Sequence, residues 1–240
     1  MMRYLENPPP SHLEGLVAAT WMLDCGGTAE QELLHHATPD GCVELIWRTR
    51  GSSHWKRKQP PLFATGLSVA PVSLQISGDA SFTGVRLWPW AWNSIHHTPC
   101  RNFADDWIAI PAESPLTDLL KAGSALSDML RSALSSVALH PIAAALLRED
   151  SVVDVVAHSG RNIRAVQRWC ADQLGMPPRQ YLRQLRFART LRGIQAETAT
   201  LADQAAAQGY ADQSHMAREF RVLAGDAARN VRTRANGPFL

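Results

Sequence analysis

Residues 151–177 read SVVDVVAHSGRNIRAVQRWCADQLGMP, and residues 200–225 read TLADQAAAQGYADQSHMAREFRVLAG. Both follow one plan: a short helix-forming run, a glycine turn, then a polar residue that starts a longer amphipathic run. In the first stretch Val152, Val155 and Val156 fall on one helical face, and Ser151 is placed to cap it. Ser159-Gly160-Arg161-Asn162 is the turn. Gly160 supplies the backbone freedom of a tight reversal, and Asn162 caps the next helix. Val166, Trp169, Cys170 and Leu174 then point inward, and Gly175 stops the helix before Met176-Pro177-Pro178. In the second stretch Leu201 and Ala205 open a small-residue helix, Gln208-Gly209-Tyr210-Ala211 makes the turn, and Asp212 caps the next helix. Met216 and Phe220 face inward and Gly225 ends it. One glycine turn between helices is commonplace; two with matched flanks predict a helix-turn-helix unit that occurs twice.

The outward faces decide what such units touch. Arg161, Asn162, Arg164, Gln167 and Arg168 lie on the outer side or start of the first recognition helix, and Gln213, Ser214, His215 and Arg218 on that of the second. A helix entering the major groove of double-stranded DNA needs a short, donor-rich face near its N-terminal half. Between the units, Pro178 to Ala196 repeats Leu182, Leu185, Ala188 and Leu191 at helical spacing, flanked by Tyr181 and Ile194. At 1.5 Å per residue it spans roughly 25–30 Å, enough to hold two recognition helices near the roughly 34 Å of one helical turn of DNA. It also carries Arg179, Arg183, Arg186, Arg189 and Arg192.

Charge supports this reading. The chain is nearly neutral at +2 over 240 residues, but residues 151–240 hold 13 arginines and no lysine against 7 acids. The acidic surplus sits in residues 1–150. A basic segment beside an acidic one points to a nucleic-acid reader joined to something else. Arginine's planar fork suits phosphate and base-edge recognition, although a solvated Arg-rich surface would give the same charge count.

The residues that carry a specific resemblance are Gly160, Arg164, Gln167-Arg168, Gly175-Met176-Pro177, Tyr181, Arg186, Gly209-Tyr210, Asp212-Gln213-Ser214, Arg218, Phe220 and Gly225. Through them, residues 151–232 resemble the DNA-binding domain of AraC/XylS-type transcription regulators. The resemblance implies that Arg164, Gln167 and Arg168 face bases in one major groove, and that Gln213, Ser214, His215 and Arg218 face bases or phosphates in the next. Three positions depart from the family pattern: Gln204 replaces a buried aliphatic residue, Ala227 a proline, and Val156 a small alanine.

The first hundred residues read as short strands between turns. Val43 to Trp47 follows the turn Thr38-Pro39-Asp40-Gly41, and Leu74 to Ser77 and Phe82 to Leu87 flank Gly78-Asp79-Ala80 as an expected hairpin. Many short strands with Gly and Pro turns predict a sandwich or barrel. Pro39-Asp40-Gly41-Cys42-Val43-Glu44-Leu45-Ile46, Gly66 and Gly84-Val85-Arg86-Leu87-Trp88-Pro89 are similar to a cupin-like sensor domain, of unassigned function, found in front of AraC-type DNA-binding domains. Seven of the eight tryptophans lie in residues 1–107. Aromatic walls with a few polar groups suit a small-molecule effector pocket, and Trp47, Arg86 and Trp88 are its candidate residues. Arg86 could bind a carboxylate effector, or could pair with Glu44 or Asp40 to hold the fold.

The fold class is thus α+β. A mostly-β, cupin-like sensor occupies residues 1–110, a helical segment 111–150, and the double helix-turn-helix domain 151–240. In the helical segment Leu116, Leu119, Leu120, Leu126, Met129, Leu130 and Leu134 recur at helical spacing before His140-Pro141. That stripe either packs on its own domain or pairs two copies in a homodimer. RNA polymerase is a further expected partner. No segment is apolar and long enough to span a membrane, and no signal-peptide core is evident, so a cytoplasmic location is expected. Cys25, Cys42, Cys100 and Cys170 are scattered without a CxxC pair, which argues against structural zinc and fits reduced thiols. His35-His36 and His96-His97 with Cys100 lack metal-ligand spacing, so neither a metal nor a cofactor is expected. There is no HExxH, GxSxG or phosphate loop, so the expected function is sequence-specific DNA binding under effector control, and no enzyme. The competing readings are a cupin-like binding or catalytic domain with a vestigial DNA-binding appendage, and an architectural DNA-binding module.

Overall fold

A computed structural model describes residues 2–196 and 200–234. The end of the expected DNA-binding segment, residues 235–240, lies outside the described residues. The first half forms two antiparallel sheets. One has six strands in the order β1 (Arg3–Asn7), β2 (Val17–Asp24), β9 (Ser81–Leu87), β4 (Val43–Arg50), β7 (Leu62–Thr65) and β10 (Trp107–Ala109). The other has four, in the order β3 (Glu32–Ala37), β8 (Val72–Ser77), β5 (Ser53–Trp55) and β6 (Arg57–Lys58).

The expected hairpin around Gly78-Asp79-Ala80 is not one. β8 pairs with β3 and β5, whereas β9 pairs with β2 and β4 in the other sheet, so the turn carries the chain between sheets. Gly78 explains the difference. Its N–H donates to Gln31 O and its carbonyl accepts from Gly27 N, each at 2.7 Å, which leaves its backbone groups to a neighbouring loop instead of a strand partner.

Side chains of the larger sheet alternate between two cores, as strand geometry requires. On β4, Val43 and Leu45 join one core while Ile46 faces the space between the sheets. The core on the outer side is shared with helices. α1 (Pro89–Ile95), α2 (Pro115–Lys121), α3 (Leu126–Leu134) and α4 (Pro141–Arg148) follow the strands. Leu116, Leu119, Leu120, Leu130 and Leu134 are buried in this core, so the leucine stripe packs within its own chain. α4 starts where His140 and Pro141 break the preceding run, and His140 Nδ1 accepts from Ile142 N at 3.2 Å.

The remaining helices are α5 (Val152–Ser159), α6 (Ile163–Leu174), α7 (Pro178–Gln195), α8 (Leu201–Ala207), α9 (Gln213–Leu223) and α10 (Ala228–Arg234). α7 divides its buried face. Tyr181, Leu182 and Leu185 enter the core shared with the strands, and Phe187, Leu191 and Ile194 enter a separate core formed with α8, α9 and α10. Cys25, Cys42, Cys100 and Cys170 are all buried free thiols.

Candidate DNA-reading helices and effector cavity

Both turns close as the residues dictate. Gly160 ends α5 in the left-handed conformation, φ 64°, and Gly209 takes φ 69° after α8. Asn162 Oδ1 accepts from Ala165 N at 2.9 Å and Asp212 Oδ1 from His215 N at 2.6 Å, so each recognition helix starts on its expected cap. α8 gains a full capping box from Thr200 and Asp203. Gln204, a departure from the family pattern, is buried and donates from Nε2 to Gly193 O at 3.2 Å on α7. The amide thereby replaces an apolar contact with a satisfied polar one.

On α6, Arg161, Asn162, Arg164, Gln167 and Arg168 are exposed, while Val166, Cys170 and Leu174 are fully buried. On α9, Gln213, Ser214 and Arg218 are exposed over buried Met216 and Phe220. His215 differs. It is half-buried, meets Tyr210 edge-on at 5.3 Å, and lies 3.9 Å from Glu219.

Three of the five arginines of α7 are used differently from those of the recognition helices, while Arg179 and Arg192 are exposed. Arg183 Nε bonds Glu219 Oε1 at 2.6 Å, and Arg186 lies 3.6 Å from the same buried carboxylate and 4.7 Å above the Tyr210 ring. Arg189 pairs with Asp150. Arg164, Arg168 and Arg218 have no ion-pair partner among the described residues. Their guanidinium groups are open to solvent, the condition for contacting phosphate or base edges.

The first unit is fixed to the strands through polar contacts. An α-helix leaves its last carbonyls without partners, and here the strand-bearing half supplies them. Asn93 Nδ2 and Cys100 Sγ donate to Gln173 O at 2.9 and 3.0 Å, and Arg101 donates to Asp172 O. Tyr181 Oη donates to Gly41 O at 2.9 Å, and Gln184 Nε2 to Ser68 O at 3.0 Å. Gly41 has φ 80°, and a Cβ there would meet Leu185 at 2.9 Å, so the approach of α7 depends on glycine.

A cavity of about 80 Å³ lies between the sheets, several times the space one water needs. Trp21, Trp55, Phe63 and Phe82 wall it, and Asp40 and Glu44 line it. His35, also on the wall, is driven by burial down to a pKa of about 4 and is neutral at pH 7. Glu44 is pushed up to about 7, chiefly by burial, and burial also raises Asp40.

Of the three sequence-chosen effector residues, none lines this cavity. Trp47 stands on the opposite face of β4, against the helical core. Arg86 is buried in an ion cluster. Its Nε lies 2.8 Å from both Glu44 Oε1 and Asp40 Oδ2, and its Nη1 lies 2.8 Å from Glu6 Oε2. This is the structural alternative weighed for Arg86. Trp88 stacks on Trp90 at 5.7 Å. Arg86 and Trp88 border a second cleft, between the strands and Ala188, Leu191 and Arg192 of α7. The sequence reading missed Trp21, Trp55 and Glu44. Their signal was the tryptophan density and the PDGCVELI stretch, but choosing among them needs the strand register. The histidine pairs are separated: His35 is on the cavity wall, while His96 stacks between Trp92 and His97. Among the described residues no group of three or more His, Cys, Asp or Glu could hold a metal, and no helix is long and apolar enough to cross a membrane.

Comparison with known proteins agrees with this division. The family described as Helix-turn-helix domain matches residues 155–234, and that described as Domain of unknown function (DUF6597) matches residues 5–109. No curated protein matches the chain. The crystal structure of unsaturated fatty acid-bound ToxT from Vibrio cholerae is similar in fold, with TM-score 0.51 at 13% identity over 88% of this chain and 98% of that one. Two further solved structures match less well. A 1.65 Å structure of ToxT has TM-score 0.48 at 11% identity over 84% and 97% of the two chains. The transcriptional regulator CdpR from Pseudomonas aeruginosa has TM-score 0.35 at 18% identity over 65% and 45%. With one family matched across both glycine turns and another across the strands, the chain joins a helix-turn-helix domain to a preceding domain of unknown function.

Proposed function

We propose that α6 and α9 read bases in successive major grooves of one site, through Arg161, Arg164, Gln167 and Arg168 on the first and Gln213, Ser214 and Arg218 on the second. The observation that carries this reading is a split among the arginines: Arg183, Arg186 and Arg189 of α7 are held by Glu219 and Asp150, while Arg164, Arg168 and Arg218 on the outer faces of α6 and α9 stay unpaired and exposed. Asn162 and His215 act one step back, Asn162 by capping α6 and His215 by seating α9 against Tyr210. Arg183 and Arg186 hold α9 to α7, so their loss weakens binding to all sequences alike.

Residues 1–110 form the sensing part, 111–150 connect, and 151–240 bind DNA. The cavity between the sheets is the effector site, supported by its aromatic walls and the few polar groups among them. The unsaturated fatty acid bound to ToxT, which is similar in fold, also favours a small-molecule site in this chain. The effector shifts the DNA-bound state and with it access of RNA polymerase to the promoter, in the cytoplasm. The leucine stripe of α2 and α3 is spent inside the chain, so a homodimer would need another face.

Selection from a random duplex library at near-physiological salt tests the reading. Enrichment of two short motifs about one helical turn apart is the expected result. Retention without enrichment would reduce the protein to an architectural binder.

A further inference from the structure

We propose that the cavity between the sheets takes an organic cation, an aryl or alkyl amine or amidine, with its apolar body against the aromatic walls and its positive head at Glu44 and Asp40. The inference rests on reading the cavity as the effector site and adds the chemical class of the ligand.

Three observations lead there. First, the walls are rich in ring faces: Trp21, Trp55, Phe63 and Phe82 all line the cavity. Ring faces attract cations as well as apolar groups. Second, the charged groups on the lining are both carboxylates, Asp40 and Glu44, and no lysine or arginine is among the lining residues. Third, the charge around these carboxylates is unbalanced. One guanidinium, that of Arg86, faces the carboxylates of Glu6, Asp40 and Glu44. Arg192 of α7 approaches from the cleft beyond Arg86 and does not line the cavity.

The hydrogen-bond count shows where a ligand would attach. Asp40 Oδ2 is taken by Arg86 and Oδ1 by Cys42 N at 2.9 Å. Glu44 Oε1 is taken by Arg86, and Oε2 accepts no hydrogen bond among the described residues. An open acceptor of this kind is well matched by a donor that also carries positive charge. A carboxylate-headed ligand would instead meet two carboxyl groups, with no cation on the lining to receive it.

The test uses the full-length protein and three probes of matched shape: 2-phenylethylammonium, 2-phenylethanol and 3-phenylpropanoate. Thermal stabilisation and quenching of tryptophan fluorescence report binding. The ammonium is expected to bind about tenfold tighter than the alcohol, and the carboxylate more weakly than either. In Glu44→Gln, which keeps the shape and loses the charge, the ammonium should fall to the level of the alcohol. If Glu44→Gln does not fold, Asp40→Asn gives the same readout. Should neither fold, the three-probe ranking on the wild-type chain decides alone. Alcohol and ammonium binding equally, or the carboxylate binding best, would overturn the cation assignment and leave the cavity as a ligand site. No response to any probe would remove the effector site itself and the proposal with it.

Discussion

The first helix-turn-helix unit buries Val155, Val166, Cys170 and Leu174 in the same core as Val43, Leu45 and Trp92 of the strand-bearing half. The second buries Met216, Phe220 and Leu223 in a core of its own with Phe187, Leu191 and Ile194. Units with one sequence plan therefore have different mechanical status. One is part of the strand-bearing half's own interior, down to the carbonyls of Asp172 and Gln173 that Arg101, Asn93 and Cys100 satisfy. The other hangs on that body through α7 and the Arg183–Glu219 contact. On the reading proposed above, a signal from the strands would have little room to move the first unit alone and would reach DNA by repositioning the second.

Core truncations should separate the units most strongly. Tyr181→Ala empties a fully buried site where strands, α6 and α7 meet, and should cost about 3–5 kcal/mol. The strand tryptophans and the first unit should melt together in a urea titration followed by fluorescence. Phe187→Ala, of similar cost, should be felt mainly as faster amide exchange in α8 and α9, with the tryptophan transition little changed. If both variants lower one shared transition equally, the division into two cores has no energetic meaning.

Next in size come the DNA contacts. Arg168→Ala and Arg218→Ala should each weaken binding to the selected site by about 1–3 kcal/mol, with specificity relaxed at a different half of the site in each case. Wild-type affinity for either variant at moderate salt would remove that residue from the reading face. Glu219→Ala sharpens the same point. It frees Arg183 and Arg186 but loosens α9, so it should lower stability of the second unit by about 1–3 kcal/mol and weaken DNA binding without changing base preference. The smallest effects belong to the caps. Asn162→Ala and Asp212→Ala should each cost about 1 kcal/mol, the former spread through the joint body and the latter confined to α9, as hydrogen exchange would show.

What the sequence made legible was local. Ser151, Asn162 and Asp212 cap as expected because a cap is decided within four residues, and the same local rule accounts for Thr200, which the sequence reading missed. The matched glycines fix both turns for the same reason. What it hid was pairing at a distance. The 78–80 turn has hairpin chemistry, yet strand partners far along the chain send β8 and β9 to different sheets. Trp47 and Ile46 are neighbours whose roles are exchanged by register alone, one facing helices and the other the inter-sheet space. Arg86 was correctly paired in outline with Asp40 and Glu44, but Glu6, eighty residues away, could not be inferred from either. Phe187, which anchors the second core, sits one position off the leucine stripe and so escaped the helical pattern.

The division of α7 has a geometric consequence. Its root is clamped by Tyr181 and Gln184, while Ala188, Leu191 and Arg192 overhang a cleft. The part of α7 beyond Gln184 projects about 16 Å. Tilting it by roughly 10° about that clamp would carry the far end roughly 3 Å, close to the roughly 3.4 Å between neighbouring base pairs. A small change at Gly41, where Tyr181 is anchored, would thereby alter the spacing of the two reading helices along a DNA site.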